Sequence, residues 1–281
     1  MSNIVTPEED LDLGELEIPF ALDKKAASKL GKQEIGYLVE QYYAVQGLRL
    51  QCAGRSRSVS ESGEPSVLLD AIAGRMEKLE GRLRSIFRTW CSSQPVTRWA
   101  LEVYGIGPVL AAGLEAHIRI DRASSPSAVW RFAGLDPTAV WNKGEKRPFN
   151  ARLKVLCWKI GESFKKVSGK PESLYGRLYR QRKELEVSRD QAGMFKETAA
   201  KTLASKKFGP SETRTAYEEG HLPAGRLDLR ATRYATKIFL AHWWECAFRV
   251  ANPGKPVPEP WVIAHGGHVD KIAPEVPFPT T

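Results

Sequence analysis

No apolar run among the 281 residues reaches the roughly 18 needed to cross a bilayer as a helix. The best stretch, around Ile238 to Leu240, is interrupted by His242, Glu245 and Arg249. The first residues lack both the basic start and apolar core of a secretory signal and the arginines of a transit peptide, so a cytoplasmic protein is expected. Cysteine is scarce: four residues, at 52, 91, 157 and 246, none spaced as in a zinc ribbon or redox pair. Reduced, separately packed thiols follow. Histidine is equally sparse, and His265, His268 and Asp270 offer the one grouping that could grip a metal. A tetrahedral site usually asks for three or four protein ligands, and no further pair stands nearby, so neither metal nor cofactor is expected.

Acid is in short supply where it would matter. The chain has 42 Lys and Arg against 33 Asp and Glu, a net +9, yet residues 1–23 hold seven acids and no base. The rest of the chain therefore carries +16. Residues 141–207 alone hold 18 bases against seven acids. Such an excess points to a polyanionic partner, because neutralising phosphates releases counterions.

Periodicity predicts a mainly α fold. Residues 1–27 read as an acidic, mobile leader. From Lys32 to about Ala53, Ile35, Leu38, Tyr42, Val45 and Leu48 recur at helical steps, and after a loop from Gly54 to Glu64 a second stripe runs Leu69, Ile72, Met76, Leu79, Leu83, Ile86 and Trp90. Two such seams should pair as an antiparallel coiled-coil hairpin over 28–95, or join another protomer as a homo-oligomer or with a partner protein. A helical domain over 96–251 follows, with Trp243 and Trp244 as core and Tyr234, Ile238, Ala241, Trp244 and Phe248 facing inward on a last helix from Asp228. Residues 191–227 are expected to hold one short helix, and 252–281 a proline-rich irregular tail.

The most specific pattern is Val103-Tyr104-Gly105-Ile106-Gly107-Pro108-Val109-Leu110-Ala111-Ala112-Gly113. A helix end, a Gly-apolar-Gly turn and a proline opening the next helix describe a helix-hairpin-helix. In that geometry Gly105 and Gly107 permit positive φ, Ile106 plugs between the helices, and the free N–H groups of Gly107, Val109 and Leu110 face a DNA phosphate at the positive end of the helix dipole. Further phosphate clamps are expected from Lys143, Lys146, Arg147, Arg152, Arg177, Arg180, Arg182 and Lys183, with Arg189 beyond them.

These pieces carry a resemblance. Gly105-Ile106-Gly107-Pro108, then Trp130-Arg131-Phe132-Ala133-Gly134-Leu135-Asp136-Pro137, then Lys143-Gly144-Glu145-Lys146-Arg147 resemble the C-terminal transposase domain of the insertion-sequence-110 family, the bridge-RNA-guided serine recombinases. About 60 residues, Tyr104 to Lys166, are covered. The resemblance implies a DNA-binding helical domain preceded by a coiled coil, in a phage or mobile element. The family's resolvase-like half with its metal-binding acids has no counterpart here, and its nucleophilic serine is missing between Pro137 and Gly144, where Thr138 is the one hydroxyl. Binding without catalysis is therefore the leading expectation. Strand transfer, alone or with a partner nuclease domain, and a coiled-coil protein that binds RNA or organises a nucleoprotein are the alternatives.

Overall fold

The computed structural model describes residues 24–142, 144–258 and 271–279, and among these the fold is mainly helical with no strand. The first half holds α1 (Lys24–Ser28), α2 (Lys32–Glu61), α3 (Val67–Ser93), α4 (Pro95–Glu102) and α5 (Pro108–His117). A 3-10 turn, Ile120–Arg122, leads to α6 (Pro126–Phe132) and α7 (Ala151–Lys166). The second half adds α8 (Leu174–Gln191), α9 (Lys196–Ser205), α10 (Glu212–Glu218) and α11 (Ala224–Ala251). None of the helices among the described residues is long and apolar enough to cross a membrane.

Helix starts follow the local chemistry. Proline opens α4, α5 and α6, where its missing donor costs nothing. The Asn150 side chain accepts from the Arg152 and Leu153 amides and so fixes the start of α7, as Ser173 does for α8 through Gly176 N–H.

Helices α2 and α3 run in opposite directions, as the order of their cross-links shows. Trp90 Nε1 donates to the Leu30 carbonyl just before α2, Glu80 accepts from Gln46 and Arg49, and Asp70 accepts from Ser56. The loop expected from Gly54 to Glu64 is largely helix: α2 runs on to Glu61, because Ser56 can bond to Ser66 and Asp70 and so sustain the helix without apolar burial. The seam turns polar beyond Tyr42. Leu48 points to solvent, while Arg49, Cys52 and Ser56 face α3. Leu48, Leu50, Val67, Leu68 and Ile72 leave the distal end with exposed apolar surface.

One hydrophobic core joins the hairpin to the rest. Ile35, Phe87 and Trp90 belong to the same buried cluster as Leu114, Ile160, Phe239 and Trp243, so the division at 95/96 is not a break in packing. Residues 24–27, expected to be part of a mobile leader, lie in α1, which packs on α3 with Ala27 buried. The stretch 191–227 carries two helices, α9 and α10, around a small second cluster of Phe195, Ala199, Tyr217, Leu222 and Leu227. That pairing supplies the burial that a single polar helix lacked in the sequence.

Helix α11 is the central element, packed on α4, α6, α7 and α8. Its fully buried face is Ala231, Ala235, Phe239, Leu240, Trp243 and Cys246, whereas Tyr234, Ile238, Ala241 and Phe248 are only half-buried flanks. The correction amounts to about one position and has a steric cause. Gly161 on α7 lets α11 approach until an added Cβ would stand 2.3 Å from Thr232 Cγ2, so small residues define the contact face. Trp243 and Trp244 are core as expected, and the four cysteines are buried and unpaired. Over 271–279 the tail has no regular element and packs on α4: the Val276 carbonyl accepts from Trp99 Nε1, and Phe278 packs on the Trp99 ring.

A carboxylate clasp closes α7 and α8 onto α11. Asp228 accepts from Lys165 Nζ, Lys183 Nζ and Tyr179 Oη. Burial alone would raise its carboxyl, but the hydrogen bonds from these three partners outweigh it and hold the pKa at about 2, against 3.8 for a free side chain. A depressed value means stability present above about pH 4 and lost as pH falls toward 2. Each pKa unit is worth about 1.4 kcal/mol, discounted here because both lysines are partly solvated. Thermal melts between about pH 6 and 2.5 should therefore show a steep acid limb that Asp228→Asn flattens while lowering the melting temperature at neutral pH; an unchanged limb places the acid sensitivity elsewhere.

Candidate nucleic-acid interface

The Gly-Ile-Gly turn joins α4 to α5 and differs from the expectation at two points. Gly105 has φ +94° and its carbonyl accepts from Ser163 Oγ, while Ile106 is buried between the helices. Gly107 is extended, at φ −90°, so that position does not require glycine on conformational grounds, and nothing lies within 4 Å of a Cβ placed there. Of the three amides expected to face phosphate, Leu110 N–H turns back onto the Gly107 carbonyl at 3.1 Å. Gly107 and Val109 make no backbone hydrogen bond as donors among the described residues. The charged group bonded at this turn is an acid: Glu275 accepts from Tyr104 N–H at 2.6 Å and from Leu174 N–H, at the start of α8, at 2.7 Å.

The cations named from sequence separate into two kinds. Arg182 pairs with Glu186, Lys183 with Asp228, and Arg177 donates to the Pro171 carbonyl, so these hold the fold together. Arg152 pairs with Glu40 on α2 yet stays two-thirds exposed. Arg180, Lys146 and Arg147 are exposed, with the Arg147 guanidinium 5.4 Å from the Trp141 ring centre. Lys143 lies outside the described residues, as do His265, His268 and Asp270. The Thr138 hydroxyl donates to Asp136 Oδ1 at 2.7 Å, and the Thr138 amide donates to the same oxygen, an Asx-type turn. Those bonds hold the Asp136 carboxyl below the ordinary aspartate range, which makes it a weaker base for that hydroxyl.

A second cationic surface escaped the sequence reading. Arg226, Arg230, Arg233 and Lys237 stand at steps of four, three and four on α11, hence on one face. Aromatic rings support the row: Arg226 lies over Tyr217, Arg230 over Phe195 at 4.7 Å and Lys237 over Trp130 at 4.2 Å. From α8, Arg182 and Arg189 join Arg230 around one carboxylate, Glu186, whose side chain is fully buried. Burial raises that carboxyl, but Arg230 and Arg182 overcome it and keep it ionised. Arg233 has no ion pair among the described residues. Burial, and then the charges of Arg230 and Arg226, push its guanidinium below the usual range. Lys237 is lowered by burial and by Arg233, with Asp136 opposing.

Like charges held side by side cost stability in the free protein, and an arriving polyanion would relieve that cost. The 4-3-4 spacing of bases was visible in the sequence but was masked by reading α11 for its apolar stripe alone. Among the described residues no three His, Cys, Asp or Glu side chains gather as a metal site. Comparison of the chain with protein-family models, with curated proteins and with solved structures finds no match.

Proposed function

We propose that the protein binds nucleic acid, DNA ahead of RNA, by gripping the phosphate backbone, and that it serves a phage or mobile element. The observation that carries this reading is the α11 row, where Arg226, Arg230, Arg233 and Lys237 stand on one face, flanked by the α8 residues Arg182 and Arg189, which share the Glu186 carboxylate with Arg230. Contacts of this kind position a duplex without reading its bases, so sequence preference is weak. The likeness to the transposase domain adds the Gly105–Val109 turn as a second contact, with the helix-hairpin-helix seating one strand against the Gly107 and Val109 amides. Exposed Lys146, Arg147, Arg152 and Arg180 would take flanking phosphates.

Fluorescence anisotropy with a labelled duplex, titrated in salt, tests the proposal. Five phosphate contacts give a log K against log salt slope of about −4.5. A flat plot, or no binding at about 50 mM salt, rejects it. Gly107→Leu separates the two surfaces, since the added side chain meets open space and the backbone there is ordinary. If the turn seats a phosphate, affinity drops about tenfold, the size of a lost charge-assisted hydrogen bond, with helicity unchanged. Equal affinity confines binding to the α8/α11 face.

A further inference from the structure

Two cavities adjoin at His117, the last residue of α5, and neither belongs to the surface described above. The first, of about 430 Å³, opens between α2 and α7 and is walled by Val39, Tyr43, Val155 and Leu156, with Arg152 and Lys159 at its edge. The second, of about 290 Å³, lies between the end of α5, the 3-10 turn and α6, with Val129 and Phe132 as walls and Arg119 and Arg122 beside them. Both are near the lower end of the size range of small-molecule pockets and suit a single flat ring.

The chemistry of the two cavities is the same. Each has an apolar floor, each has large apolar side chains left open to solvent, Val155 and Phe132, and each has a cationic rim. The acids nearby are already engaged, Glu40 by Arg152 and Asp121 by Arg119, which leaves Lys159 and Arg122 as surplus positive charge. Lys159 Nζ stands 4.0 Å from the centre of the Tyr43 ring, so one wall offers an aromatic surface and a cation together. His117, shared by both cavities, makes no side-chain hydrogen bond among the described residues, and burial pushes its pKa down, which keeps the imidazole neutral with one donor and one acceptor.

We propose that the paired cavities take two neighbouring unstacked bases of a single-stranded nucleic acid, with Lys159 and Arg122 on the phosphates and His117 on a base edge. Apolar pits rimmed by cations accept a nucleotide of any kind, because every nucleotide has a flat base face and a phosphate. A duplex keeps its bases stacked inside and cannot fill them. The inference rests on the nucleic-acid reading for the class of polymer, but it concerns different residues and a different state of the strand.

The test uses the full chain, a short oligothymidylate carrying one 2-aminopurine, and the same sequence closed as a hairpin duplex. Parent protein should change 2-aminopurine emission in the single strand and leave the duplex probe unaltered. Val155→Trp fills the first cavity from a position already open to solvent, so the fold is kept. It should weaken single-strand binding about tenfold, the lower range for one stacked base, without changing duplex affinity. Parent-like single-strand affinity in Val155→Trp, or displacement of the oligothymidylate by polyglutamate at equal charge, overturns the proposal, the latter by assigning the pits to an acidic peptide. Duplex binding without any single-strand response defeats this inference alone. Single-strand binding without duplex binding defeats the α11 duplex reading and leaves this one standing.

Discussion

Alanine at Arg226, Arg233 and Lys237 together should cost the protein a few hundredfold in duplex affinity at about 0.1 M salt. Three lost phosphate contacts remove about 2.7 from the log–log salt slope, which at one decade below molar salt is also about 2.7 decades of affinity. None of the three carries an ion pair among the described residues, although Arg226 donates to Thr202 Oγ1 and Tyr217 Oη, whereas removing Arg230 or Arg182 would disturb the ion pairs around Glu186. The accompanying effect on stability runs the other way. Arg226 and Arg230 already make it harder for Arg233 to stay charged, so deleting like charges relieves the folded state. A melting temperature equal to or above that of the parent, beside a large loss of binding, is what a surface kept for a ligand gives. Parent-like anisotropy curves would remove the row from the interface, and a fall in both quantities would make it a structural network.

The legible parts of this fold were those where one residue type dictates one geometry. Asn150 and Ser173 are residues of that kind, because a side-chain oxygen just before a helix satisfies amides that have no other partner. Pro108 and Gly105 marked the turn between α4 and α5 for the same kind of reason. What could not be read depended on partners distant in sequence. The α2 seam after Tyr42 is held by Gln46, Arg49 and Ser56 bonding to acids and hydroxyls about 10 to 34 residues away, which no apolar stripe reveals. Helices α9 and α10 bury only Ala199, Thr202 and Tyr217, and each looks too polar alone.

The cations show the same division more sharply. Lys183 and Arg182 are indistinguishable in sequence from Arg180, their neighbour on α8, yet the first two are consumed by Asp228 and Glu186 while Arg180 is exposed. Local density of Lys and Arg thus located the right region and over-counted the free charges. The α11 row was under-counted because its four bases share a helix with six alanines and five aromatic residues, whose hydrophobic spacing dominates the pattern. A base placed at 4-3-4 steps on a helix that also supplies the core is a readable signal, since its own face must then be solvent.

Glu186→Gln is expected to be the most damaging single change in the protein. It keeps volume and removes one charge from a side chain that is fully buried and that faces Arg182, Arg189 and Arg230. Removing one partner from a buried ion pair typically costs about 3–5 kcal/mol, because the opposite charge stays behind without compensation. Here three guanidinium groups stay behind, beside a row that already repels itself. A domain has only about 5–15 kcal/mol in all, so the melting temperature should fall by on the order of 10 °C. Glu184→Gln supplies the control: it lies on the same helix, is exposed and changes net charge identically, so its melting curve should overlay the parent's. A duplex added in excess should restore much of what Glu186→Gln loses, since phosphates replace the missing negative charge and bind only the folded state. Glu186→Gln melting within about 2 °C of the parent would mean that the carboxylate is dispensable. Destabilisation that no polyanion reverses would separate this cluster from the proposed interface.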